Sequence, residues 1–108
     1  MSTSKFKDND RTSFGYTLGL ISGKWKLLII FYLHHQQTLR YGELHRLLGH
    51  ITHKTLSHTL KELEVDGLIL RTQYPEIPLR VEYQLTANGE SLFPIIQSMC
   101  QWGDTHRP

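Results

Sequence analysis

Ile51-Thr52-His53-Lys54-Thr55-Leu56-Ser57-His58-Thr59-Leu60-Lys61-Glu62-Leu63-Glu64-Val65-Asp66-Gly67 is the stretch from which the rest of the chain is read. Leu56, Leu60 and Leu63 recur at i, i+4 and i+7, the spacing of one helical face. Thr52 stands where an N-cap is needed, because its hydroxyl can accept a free backbone N–H of the first turn. Gly67 suits the left-handed residue that ends a helix. The spacing predicts a helix over residues 52–66. With the leucines inward, the opposite side carries His53, Lys54, Ser57, His58 and Lys61, with no acid among them. Glu62, Glu64 and Asp66 gather at the C-terminal end instead.

Working outward, Gly49-His50-Ile51 reads as a tight turn. Before it, residues 42–48 form a short helix with Leu44, Leu47 and Leu48 inward, preceded by a brief strand at Leu39-Arg40-Tyr41. After Gly67, residues 68–74 and 79–85 read as two strands, since Val81, Tyr83 and Leu85 alternate with Arg80, Glu82 and Gln84. Pro75-Glu76-Ile77-Pro78 forms the hairpin tip, where the prolines stay out of any ladder. The apolar segment from Phe14 to His35 splits at Ser22-Gly23 into helices over 14–21 and 24–34, the second with Trp25, Leu28, Ile29 and Tyr32 on one face. A last helix over 87–102 carries Leu92, Ile96, Met99 and Gly103 near one stripe. The fold class that follows is mainly α with a small β-hairpin. Two helices around a tight turn, followed by a hairpin, make a winged helix-turn-helix.

A helix whose N-terminal half bears Lys, His, Ser and Thr suits entry into a DNA major groove. Lys reaches guanine O6 or N7, Ser and Thr meet several base edges, and the positive end of the helix dipole favours phosphate. Thr52, His53, Lys54, Ser57, His58 and Lys61 are therefore candidate contacts to double-stranded DNA. The competing reading is a solvated face of an amphipathic helix. Arg71 and Arg80 on the hairpin have two readings. They contact flanking phosphates, or they pair with Glu82 or Glu76 across the hairpin.

The 108 residues suit one domain, with residues 1–13 as a flexible arm, 14–103 as the folded unit and 104–108 as a tail. The formal net charge of +2 is too small to argue for nucleic acid alone. A single cysteine, Cys100, forbids an internal disulfide and fits a reducing compartment. The polar N-terminus has no signal-like apolar region, and no apolar run reaches the roughly 20 residues of a membrane span. A cytoplasmic protein without a membrane partner is expected. No metal is expected from the seven histidines, because His53 and His58 miss the i, i+4 spacing of helical zinc pairs and no Cys pair completes a site. No phosphate loop, nucleophile elbow or carboxylate pair marks an enzyme, and no cofactor is implied.

Several motifs together carry a resemblance. Ser22-Gly23-Lys24-Trp25, Tyr41-Gly42-Glu43-Leu44, Ile51-Thr52-His53-Lys54-Thr55-Leu56-Ser57, residues 60–69, and Tyr74-Pro75-Glu76-Ile77-Pro78 with Val81-Glu82-Tyr83-Gln84-Leu85-Thr86 resemble, in order, the conserved segments of HxlR-type winged-helix regulators of the MarR-like group. The resemblance covers roughly residues 14–103. It implies a transcriptional regulator that binds DNA as a homodimer paired through its terminal helices, 14–21 and 87–102. Tyr16, Leu20, Leu92, Phe93, Ile96 and Cys100 are the expected interface residues. The alternative is that such residues fill the monomer core. Some relatives sense oxidants through an N-terminal cysteine. Here Thr12 occupies that position, and a hydroxyl forms neither thiolate nor disulfide. Cys100 reads as a small hydrophobe. An unidentified small-molecule effector, and a winged-helix module that binds only protein, stay open as alternatives.

Overall fold

The computed structural model describes residues 12–108. The arm expected over residues 1–13 lies outside the described residues except for Thr12 and Ser13. Helix α1 spans Ser13–Ile21 and is capped by Thr12, whose Oγ1 accepts the Gly15 N–H at 2.9 Å. Helix α2 spans Lys26–Gln36, set two residues later than its apolar pattern suggests, at 76° to α1. Strand β1 is only Leu39–Arg40, because Tyr41 already opens helix α3, Tyr41–Leu48. Glu43 fixes that start by accepting the Arg40 N–H at 2.8 Å.

Helix α4 spans His53–Val65. Thr52 Oγ1 accepts the Thr55 N–H at 3.1 Å, the cap expected from sequence. At the other end Gly67 takes φ +75°, and the Leu68 N–H reaches back to the Leu63 carbonyl at 2.9 Å. Strands β2, Ile69–Tyr74, and β3, Arg80–Leu85, follow. The sheet is antiparallel in the order β1-β3-β2, so the brief strand before α3 becomes a third member beside the hairpin. Leu39, Tyr83 and Arg71 fall in one cross-strand row. That row puts the start of α3 next to the root of the wing.

The single last helix expected over 87–102 is two helices. α5 spans Ala87–Glu90 and α6 spans Phe93–His106. Pro94 lacks an N–H, and its ring would crowd the Glu90 carbonyl four residues back, so the regular helical ladder is interrupted there. The joint is tied to the end of α2. His34 Nδ1 lies 2.7 Å from Glu90 Oε1, and the His34 ring stacks on Phe93 at 3.5 Å.

The core joins Ile29, Ile30 and Leu33 of α2 to Leu44 of α3, to Leu56, Leu60 and Leu63 of α4, and to Ile69 and Tyr83 of the sheet. α3 buries only Leu44 of its three expected inward leucines, leaving Leu47 exposed. On α6, Ile96 is buried but Met99 faces solvent, so the expected inward stripe stops after one turn. No single helix among the described residues is long and apolar enough to cross a membrane.

Candidate nucleic-acid interface

Burying the leucine stripe of α4 forces its other side outward, and Thr52, His53, Lys54, Ser57, His58 and Lys61 are all exposed. Their chemical situations differ. Lys54 and Lys61 pair with no acid among the described residues. His58 Nε2 lies 3.5 Å from Glu62, a residue that also takes Lys26 at 3.5 Å. Thr52 uses its hydroxyl as the helix cap.

His53 is turned back onto α3. Its Nδ1 sits 2.9 Å from the Tyr41 hydroxyl, and its ring stacks on His45 at 4.2 Å with the planes 8° apart. His45 Nε2 donates to the Ile51 carbonyl at 3.0 Å, so the stack fixes the turn as well as the helix start. The Tyr41 hydroxyl also lies 3.3 Å from the His53 carbonyl and 3.4 Å from Ser57 Oγ. Tyr41 is a site residue that the sequence pattern did not reveal. It stands at the first helical position after β1, outside the inward leucine pattern of α3 by which that helix was recognised.

The two wing arginines separate. Arg80 holds Glu76 at 3.1 Å and Glu82 at 3.7 Å and stacks over the Tyr74 ring at 3.8 Å. Of its two readings, pairing with Glu76 and Glu82 is the one seen, to the tip and along β3. The wing tip therefore carries a net negative cluster, with Ile77 and Leu79 exposed beside it. Arg71 is exposed at the wing root and touches only Gln73 Oε1, at 3.3 Å. A cleft of about 320 Å³ opens between α4 and the wing, lined by Tyr41, Ser57, Leu60, Lys61, Glu64, Arg71 and Tyr83.

The expected interface residues also divide. Tyr16 and Cys100 are exposed, and Leu20, Leu92 and Phe93 are half-buried. Ile96 is 5% exposed and packs mainly within the core of the monomer. Phe14, Ile95, Met99 and Trp102 are further exposed apolar side chains on α1 and α6. An apolar groove of about 440 Å³ lies alongside, lined by Leu27, Leu28, Phe31, Ile96, Met99 and Cys100 with Lys24 at its edge. Among the described residues, no three His, Cys, Asp or Glu side chains are grouped to hold a metal ion.

Known proteins resemble this chain along most of its length. The model of the HxlR-like helix-turn-helix family matches residues 20–108. An uncharacterised HTH-type transcriptional regulator of Halalkalibacterium halodurans is 52% identical over 99 residues, 92% of this chain and 88% of that protein. The uncharacterised HTH-type transcriptional regulator YdzF of Bacillus subtilis is 54% identical over 90 residues, 83% of each. Among solved structures, the redox regulator HypR in its oxidised form superposes with a TM-score of 0.83 at 36% identity. It covers 90% of this chain and 99% of that one.

Proposed function

This chain belongs to the HxlR-like helix-turn-helix family of transcriptional regulators, and from that premise we propose that it binds double-stranded DNA sequence-specifically as a homodimer. The observation that carries the proposal is the outward side of α4, where Lys54 in the first turn and Lys61 two turns on stand without an acid partner among the described residues. In this reading α4 enters the major groove by its N-terminal end. Lys54 and Ser57 approach base edges, and Lys61 and Arg71 hold the flanking backbone. His53 acts by keeping the helix start in place through Tyr41 and His45, and Arg80 by stiffening the wing.

The dimer is proposed to form through α1 and α6. The exposed Phe14, Tyr16, Ile95, Met99 and Trp102 would otherwise leave an apolar surface in water. The apolar groove beside Met99 and Cys100 favours a second element of the reading, an effector that enters there and shifts the terminal helices. HypR is a redox regulator, but an N-terminal thiol switch is not proposed here. Thr12 holds the cap of α1, and Cys100 is the only thiol in the chain.

Selection of genomic DNA fragments on the purified chain, read by sequencing, tests the proposal. Enrichment of a two-fold symmetric site with half-sites separated by about one helical turn, or a multiple of it, is expected. Recovered fragments that match the input pool would overturn it, as a protein-only module would give.

A further inference from the structure

We infer that the cleft between α4 and the wing root is a discrete phosphate seat, which grips a single phosphodiester of the duplex through Lys61 and Arg71 together. The inference rests on the DNA-binding reading and deepens it. The sequence places Lys61 and Arg71 on different elements and suggests two independent contacts. The structure brings them to the same cleft of about 320 Å³, room for on the order of ten waters. The cross-strand row Leu39–Tyr83–Arg71 is the cause. It sets the wing root against the start of α3, and α4 packs on β2 above it.

The lining chemistry suits an oxyanion. Two cations without acid partners line it together with the Tyr41 and Ser57 hydroxyls, which lie 3.4 Å apart; Tyr41 spends its proton on the His53 carbonyl, and Ser57 supplies a neutral donor. Glu64 on the rim leaves the cleft singly positive, which matches a diester carrying one charge better than a doubly charged monoester. The wing tip offers no rival seat, because Arg80 is held by Glu76 and Glu82. Backbone anchoring thus moves from the tip of the wing to its root.

The test is salt-dependent binding of a mixed-sequence duplex by the full chain, by Lys61→Gln, by Arg71→Gln and by the double variant. All these side chains are exposed, and unchanged melting temperatures confirm that the fold is kept. Each single variant should bind about tenfold more weakly at low salt and lose about 1 from the slope of log affinity against log salt. The double variant should also lose about 1, because both side chains serve the same phosphate. A control variant, Lys54→Gln, should leave the slope on mixed-sequence DNA nearly unchanged, since Lys54 faces base edges and lies outside the cleft. A loss of about 2 for the Lys61, Arg71 pair, or no change in slope, would overturn the shared seat while leaving DNA binding standing. Inorganic phosphate should displace the duplex better than chloride at equal ionic strength only while Lys61 and Arg71 are intact; the same displacement from the double variant would overturn the seat. No duplex binding by the unsubstituted chain would overturn both readings.

Discussion

Arg71 and Arg80 have the same chemistry and belong to the same hairpin, yet they sit in different surroundings. Arg80 is surrounded by Glu76, Glu82 and the face of Tyr74, so its charge is spent within the wing. Arg80→Ala should therefore lower stability by about 1 kcal/mol, the scale of an ion pair with an aromatic contact. Duplex affinity should stay close to that of the unsubstituted chain. A thermal melt and a duplex titration check this, and a large affinity loss with unchanged melting would contradict it. Lys54→Ala should do the reverse. It removes an exposed, unpaired cation, so binding to the selected site should weaken by about 1–3 kcal/mol with the melting temperature unchanged. The acid-free side of α4 was legible in the sequence, because helical spacing alone sorts Lys54 and Lys61 from Leu56 and Leu60. The inward turn of His53 was not. It depends on Tyr41 and His45, which reach it only through the folded turn.

At the scale of elements, α4 was readable because cap, leucine stripe and terminal glycine agree within one short segment. Thr52→Ala should cost about 1 kcal/mol through loss of the N-cap, read by chemical denaturation. The break between α5 and α6 is not legible in the apolar spacing, because Leu92, Ile96 and Met99 all lie on α6 or its cap and report nothing about the joint after Glu90. Pro94 was the local sign of the break, and the tie from His34 to Glu90 and Phe93 is long-range. Gly89 marks the same region as a tight spot. A Cβ there would collide with the Leu68 carbonyl oxygen, backbone that cannot swing aside. Gly89→Ala should destabilise the chain by roughly 1–3 kcal/mol as overpacking, whereas Ser91→Ala on the exposed side of the joint should change little. Equal stability of the two variants would contradict this packing.

For the whole molecule, the radius of gyration of 15.1 Å exceeds the about 13 Å of a compact chain near 100 residues, with extents of 45 × 34 × 27 Å. The excess fits the proposed dimer, in which the terminal helices pack against a partner. Only Gly15 is buried on α1, and Trp102 on α6 is 65% exposed. Met99→Asp puts a charge on that surface without touching the core. It should convert a dimer into a folded monomer in sedimentation at micromolar concentration, and weaken binding to the two-half-site DNA more than to a single half-site. The helical order and the wing were legible at this scale, because each element carries its own periodicity. The free surface of α6 was not, because a stripe of apolar residues does not say which of them the monomer itself consumes. The most direct test of the central claim is the affinity for the selected duplex across a salt series, with Lys54 and Lys61 intact and both replaced by alanine. The account predicts tight binding that weakens steeply with salt, and a shallower slope with a loss of a few kcal/mol in the double variant. The same affinity and slope for both proteins would contradict it, as would no binding at low salt.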